Sequence, residues 1–228
     1  MENYICINGK KTVLTDEQMK ELGFPVNSPL NDLVKAVRKG CKPYKPGTVL
    51  EDFGMLFKVL DYDHDLNPNK PEAKTVTLMS LTLAPEHRMH KGSCPNGWSD
   101  SELRKWLNGD FFKTLPVGLK DLICPTARHS NDSKGNIHTT VDKLFLPTES
   151  ELFGSAIWSV CECGSRYAAF HCSADRAVTD EDGDKRWYFT SSAYAGGSTN
   201  FVYVNGGGLV YNYSASGAFR APFCFQLS

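Results

Sequence analysis

Apolar and polar residues alternate in short runs along this chain, and only a few stretches switch from a period of two to one of three or four. YICINGKKTVL (residues 4–14) alternates as a strand pair, with Asn8-Gly9 at the turn position of a type I′ hairpin. Thr15-Asp16-Glu17-Gln18 reads as a capping box opening a short helix that ends near Gly23. Pro25, Asn27, Ser28 and Pro29 read as a linker. In residues 30–40 the apolar positions Leu30, Leu33, Val34 and Val37 share one helical face, and Gly40 closes the helix. From Lys45 the period shortens. PGTVLEDFGMLFKVLDYD predicts two strands and TVTLMSLTL a third. Ser99 to Glu102 is a second capping box, opening SELRKWLNGDFF with Leu103, Trp106 and Leu107 on its core face and Asn108-Gly109 as its C-terminal cap. Residues 115–123 read as a short helix or turn, and residues 126–140 as a loop or irregular hairpin. KLFLPTESELFG predicts a strand at residues 144–146 before a third capping box, Thr148 to Glu151. The interval 164–185 is irregular and acidic, and WYFTSS, FVYVN, GLVYNY and FRAPFCFQL predict four closing strands. Few helices, many short strands and long irregular loops predict an α+β fold. Residues 1–40 form a small N-terminal strand-helix appendage for attachment or oligomerisation, and residues 41–228 the main domain.

Composition narrows the function classes. The 228 residues suit one large domain or one domain with a small appendage, and 41% hydrophobic with 11% aromatic residues supply a core. A net charge of −1 argues against nucleic acid, which needs a basic stripe. No apolar run approaches the roughly 18–20 residues that cross a bilayer, so no membrane insertion is expected. MENYICINGKKTVLTDEQ does not read as a secretory signal, which points to synthesis in a reducing cytoplasm. The eight cysteines are therefore expected to be buried or idle thiols. Cys161-Glu162-Cys163 lacks the CxxC spacing of zinc and redox motifs, with only His171 and Cys172 near it in sequence.

The tail is where candidate chemistry concentrates. After Arg186 the only charged side chain is Arg220, expected to pair with a buried acid or loop carbonyls. In place of charge stand Tyr194, Ser198, Asn200, Tyr203, Asn205, Tyr211, Asn212, Tyr213 and Ser214, a composition suited to recognition: rigid rings for area, small polar groups for adaptable hydrogen bonds. Strand alternation puts Tyr211 and Tyr213 on one face and Asn212 on the other, and lets Tyr203 and Asn205 share a face. The competing account is a solvated hairpin turned by Gly206-Gly207-Gly208. Asp61, Asp63, Asp65, Asn67, Asn69 and Glu72 fall at calcium-loop spacing, but Leu66 stands where glycine is needed and Pro68 and Pro71 interrupt the loop. Asp180, Asp182 and Asp184 read as a solvated turn. The six histidines are scattered, and a nucleophile pair such as Cys172 with His138 would have to meet in space. No catalytic residue, metal or cofactor is expected.

GTVLEDFGMLFKVLDYD, WSDSELRKWLNGDFF, KLFLPTESELFG, RWYFTSS, NFVYVNGGG and GAFRAPFCFQL, in that order, resemble an uncharacterised domain family of Gram-positive bacteria and their phages. That family carries a Leu-Arg-x-Trp-Leu-Asn helix, a Trp-Trp-Leu-Arg-Ser strand and a closing Arg-Pro-Ala. Here Trp187-Tyr188-Phe189-Thr190-Ser191 and Arg220-Ala221-Pro222 stand in the last two places. The resemblance covers about residues 45–228. It implies a C-type-lectin-like fold, shared with formylglycine-generating enzymes and retroelement variable proteins, whose last strands display ligand-contacting residues. Adenine-directed mutation in retroelements yields Asn, Tyr and Ser, which this tail contains. The glycan-binding calcium strings of C-type lectins are absent, and only Cys224 lies near the C-terminus, where formylglycine-generating enzymes need a cysteine pair. The resemblance implies a noncatalytic, phage- or prophage-encoded binding protein. Its partner would be a bacterial surface protein or glycan, with phage tail or virion proteins and homo-oligomers as further partners. It would be made in the bacterial cytoplasm and carried on the virion if phage encoded. The alternatives are a virion decoration protein and a formylglycine-generating-type enzyme.

Overall fold

Two four-residue strands, β1 (Tyr4–Ile7) and β2 (Lys10–Val13), pair antiparallel with Ile7 opposite Lys10. The computed structural model describes the backbone of these strands and residues 28–160 and 164–228. The Asn8-Gly9 turn, the Thr15 capping box and the Cys161–Cys163 pair lie outside the described residues. Helix α1 (Pro29–Arg38) follows the pattern in sequence: Ser28 caps it by accepting from Asn31 N, and Leu30, Leu33, Val34 and Val37 are buried. These four side chains join the main core, Asp52 accepts hydrogen bonds from Ser28 Oγ and Leu30 N, and Arg38 donates to the carbonyl of Ser228. The helix thus packs with the elements that follow residue 40.

Alternation over residues 49–62 yields β3 (Val49–Asp52) and β4 (Met55–Tyr62), joined by Phe53 and Gly54, both at positive φ (53° and 69°), as a two-residue hairpin requires. Next come β5 (Val76–Ser80) and β6 (Ala84–Arg88). The run around Trp98 forms a 3₁₀ turn (Gly97–Asp100), then α2 (Glu102–Trp106), a π-helical turn (Leu107–Phe111) and α3 (Phe112–Thr114). Two expectations are corrected here. Ser101, not Ser99, caps α2, because the 3₁₀ turn occupies the earlier residues. Asn108 does not end the helix. Its amide donates to the Arg104 and Leu144 carbonyls and accepts from Lys143 N and Leu144 N, so it clamps the segment before α5 while the helix widens around it. Trp98 and Leu107 are fully buried, whereas Trp106 is half-buried between His87 and Phe111.

Helix α4 (Val117–Leu122) leads into β7 (Ile123–Cys124), and residues 126–142 form a regular hairpin, β8 (Thr126–Asn131) with β9 (Ile137–Asp142). Residues 144–146 are buried but make only a single bridge, Phe145 to Cys224, rather than a strand. Helix α5 (Glu149–Phe153) carries both arms of the capping box between Thr148 and Glu151 and stops at Gly154 with φ 84°. After α6 (Ser173–Arg176), β10 (Val178–Thr179) and β11 (Lys185–Arg186) flank a turn in which Asp180 accepts from Asp182 N, Asp184 N and Arg186 Nε.

The tail makes five strands, not four: β12 (Tyr188–Ala193), β13 (Asn200–Val204), β14 (Val210–Ser214), β15 (Ala218–Ala221) and β16 (Cys224–Leu227). The last expected strand divides at Pro222, which cannot donate to a ladder. β15 pairs with β6, while β16 enters the five-stranded sheet in the order β3-β4-β5-β16-β7. β16 therefore lies inside the main core, and Cys224, Phe225, Gln226 and Leu227 are wholly buried. Strand exceeds helix, 34% against 21%, in several small sheets with no barrel, which makes the fold mixed α/β.

Candidate functional site

The three-stranded sheet β12-β13-β14 brings three of the tail tyrosines together. Phe189 lies opposite Tyr203, and Tyr203 opposite Tyr211, with Phe201 opposite Tyr213 on the same face. Tyr203 is buried at the centre, with Trp187 (ring centroids 5.2 Å), Phe219 (5.8 Å), Tyr213 (5.9 Å) and Tyr211 (6.1 Å) around it. Phe219 in turn meets Phe189 at 4.7 Å and Tyr213 at 5.4 Å. The rings are mutually tilted, as aromatic quadrupoles prefer. Three of them stay open to solvent: Trp187 is 45% exposed, and Tyr211 and Tyr213 are each 43% exposed. Burial first, then the neighbouring phenols of Tyr211 and Tyr213, push the Tyr203 hydroxyl above its ordinary pKa, so it carries no charge into the cluster.

The face is held from behind by its hairpin. Gly208 (φ 77°) lies so close to α6 that a Cβ there would stand 1.9 Å from the Ser173 carbonyl oxygen, and Arg176 Nε donates to the Gly208 carbonyl at 3.2 Å. Asn205 is used by the turn: its Oδ1 accepts from Gly207 N and Leu209 N. Asn200 and Asn212, on the opposite face from the rings, bond to each other at 2.9 Å. Ser214 bonds to Ser216, and Ser198 to Ser93. Tyr194 folds over Gly196 and faces Trp158 at 6.0 Å, at the end of the sheet away from the β13–β14 turn. The structure therefore divides the nine tail residues: Tyr203, Tyr211 and Tyr213 share one cluster, and the amides and hydroxyls brace the strands that carry it. Trp187 and Phe219 complete the cluster without having been singled out in the sequence. Trp187 was legible as the i−2 neighbour of Phe189 in a strand. Phe219 was not, because it comes from β15, which belongs to another sheet.

A second concentration of functional groups lies inside. Arg128 forms ion pairs with Asp65 and with Glu151 (2.5 Å), and its guanidinium stacks 4.1 Å from the Phe145 ring centre. Asp65 also accepts from Thr77 Oγ1 (2.6 Å) and Tyr167 OH (2.8 Å). Glu151 Oε2 also accepts from Thr148 N, the second arm of the capping box. The His64 ring is tilted by 40° against Tyr167 at 4.2 Å, and its Nδ1 stands 3.7 Å from Asp65. Burial disfavours a proton on His64, but the nearby carboxylate of Asp65, with Glu151 behind it, outweighs burial and lifts its pKa to about 9. Burial likewise disfavours the charged form of Asp65, but Arg128, His64 and Thr77 hold its carboxyl well below the usual range. A cavity of about 150 Å³ opens beside these groups. The ligating atoms of His64, Asp65 and Glu151 all lie within 4.8 Å of one another, close enough to hold a metal ion. The Arg128 guanidinium, however, already bonds both carboxylates, so the chain's own cation stands where a metal ion's charge would be needed. Of the calcium-spaced residues, Asp61 accepts from Ala168 N, Asp63 from Thr75 N, and Asn67 from Asn69 N, each serving a different stretch of backbone.

The described cysteines, Cys41, Cys94, Cys124, Cys172 and Cys224, are free thiols. Burial, with Asp100 nearby, pushes Cys94 up to about 11, and burial raises Cys224 further, so neither favours the reactive thiolate. Arg220 holds the β15 strand to the acidic turn by donating to Glu181 at 2.7 Å and to the Leu83 carbonyl; the loop carbonyl matches expectation, whereas Glu181 is exposed and the buried acid of the turn, Asp180, stands 3.9 Å away.

Fold and site together define a mixed α/β protein of several small sheets that displays an aromatic cluster on its C-terminal hairpin. The family model described as a domain of unknown function, DUF6273, matches residues 73–227, and the chain belongs to that family. The match contains the whole ring cluster and begins after α1, β3 and β4. No curated protein and no solved structure matches the chain.

Proposed function

We propose that this chain is a noncatalytic binding protein that takes up its partner on the aromatic face of β12-β13-β14. The observation that carries this reading is the exposure of Trp187, Tyr211 and Tyr213 around a buried Tyr203. Large rings that stay half in water beside a rigid support are the typical anchors of binding surfaces, since they add area at low entropic cost. The partner class is a bacterial surface protein or glycan, and the scaffold is C-type-lectin-like. Both follow from the resemblance to a domain family of Gram-positive bacteria and their phages, as does carriage on a virion. Support for a noncatalytic role comes from the internal charges. Arg128 is bonded to both Asp65 and Glu151, so the strongest buried charges are held by one another.

The test is attachment of the labelled, purified chain to Gram-positive cells, with Trp187→Ala, Tyr211→Ala and Tyr213→Ala combined in one variant. Attachment is expected to fall at least tenfold while the thermal unfolding curve keeps its shape. Protease treatment of the cells separates a protein partner from a glycan, which periodate oxidation removes. Equal attachment by the variant and the unmodified chain rejects the face as the binding site.

A further inference from the structure

β14 is the outer strand of its sheet. Asn205 N donates to Leu209 O, and Ala215 N donates to Thr199 O, which sets the alternation of the ladder between them. Tyr211 and Tyr213 direct their backbone groups toward β13, so Val210, Asn212 and Ser214 direct theirs outward. Of these outward groups, Ser214 O accepts from Gly217 N within the turn, and both groups of Val210, both of Asn212 and the N–H of Ser214 have no partner among the described residues. Natural edge strands are guarded by lysine, proline or a bulge. β14 has none of these: its register against β13 is unbroken, and no charged residue or proline lies between Trp187 and Phe219.

We infer that this edge pairs with the same edge of a second copy of the chain, antiparallel and centred on Asn212. The sequence Val210-Tyr211-Asn212-Tyr213-Ser214 matches itself in that register. Asn212 faces Asn212 of the other copy and exchanges two backbone hydrogen bonds with it. Ser214 N donates to Val210 O in each direction, which adds two more. Tyr211 of each copy falls opposite Tyr213 of the other at a non-hydrogen-bonded position, where side chains approach most closely and aromatic pairs add to stability. Edges that carry no charge bring no like-charge repulsion to this contact. The two-fold axis stands perpendicular to the sheet, so both ring clusters lie on one side and form a continuous aromatic strip. The area sets the strength. The exposed parts of Leu209, Tyr211 and Tyr213 amount to roughly 300 Å² per copy, on side-chain areas of order 150–250 Å². A standard interface buries about 800 Å² per partner. The dimer is therefore weak, forming between micromolar and millimolar concentration, and it gives the ring face a second copy for avidity. The pairing does not depend on the ligand of the rings, and its failure leaves a single-copy site untouched.

Sedimentation of the full chain from about 1 µM to 1 mM tests the inference over the range expected for so small a contact. The mass is expected to rise from 25.3 kDa toward twice that value. Val210→Lys with Ser214→Lys places lysines opposite each other across the axis and keeps every ring, and it is expected to hold the chain monomeric at every concentration. Amide hydrogen exchange gives a readout that needs no variant. The Val210, Asn212 and Ser214 amides are expected to slow at the high concentration, and those of Tyr211 and Tyr213 to be protected at both. A monomer at every concentration overturns the inference and leaves the edge bare or open to a strand of another protein. A dimer that survives the double lysine variant, or edge amides that exchange equally at both concentrations, overturns it as well.

Discussion

The buried charges around Arg128 and the open rings around Tyr203 invert the usual signs of function. The first region contains what active sites are made of: a histidine, two carboxylates, an arginine and a tyrosine, beside a cavity. Its charges nevertheless offset one another, Arg128 against Asp65 and Glu151, and the shifts of His64 and Asp65 follow from that proximity. The second region is built of tyrosine, tryptophan and phenylalanine rings, with no histidine or carboxylate among them. Its tyrosines and tryptophan leave apolar surface facing water, and burying that surface requires a partner. Perturbed titration accompanies structural ion-pair networks as well as active sites.

Arg128→Leu breaks this contrast most severely. It leaves Asp65 and Glu151 buried without their cation, and the expected loss is about 3–5 kcal/mol in urea unfolding, with the ring face affected only through global unfolding. Asn108→Ala removes an amide that serves four backbone groups; about 1–3 kcal/mol is expected by the same measurement. The pH dependence should separate the regions more finely. His64 has a folded pKa of about 9, above its usual 6.5. Its contribution is fully present below pH 6.5 and fades as pH rises through 9. Asp65, held below its usual 3.8, contributes above that value and loses its contribution as the medium becomes more acidic. Melting temperatures are therefore expected to fall from pH 6.5 to 9 in the unmodified chain and to fall less in His64→Gln. The smallest stability effect belongs to the rings that matter most for binding. Tyr211→Ala and Tyr213→Ala are each expected to cost about 1 kcal/mol or less, because each ring is already 43% exposed.

Local chemistry was legible wherever a signal was complete within a few residues. The α5 capping box, the one-faced helix at Leu30–Val37, the β3–β4 alternation and the faces of Tyr211 and Tyr213 all follow from neighbours in sequence. The signal misled where two local rules competed. Asn108-Gly109 resembles a helix stop, yet Asn108 gains more by bonding residues 143 and 144. Ser99 and Ser101 both suit a cap, and the 3₁₀ turn at Trp98 decides between them.

By itself, then, the sequence determined a mixed α/β chain, its main helices and hairpins, and a tail in which rings and small polar groups replace charge. These follow from periodicity and capping, which act over one or two turns of chain. Only the tertiary structure decided that Asp65, Arg128 and Glu151 neutralise one another, that β16 enters the central sheet between β5 and β7, and that Phe219 joins the tail tyrosines in one cluster. Arg128 lies 63 and 23 residues from its two carboxylates and Phe219 reaches the rings from a strand of another sheet, and such pairing depends on which surfaces exclude water together, a property no short window of residues contains.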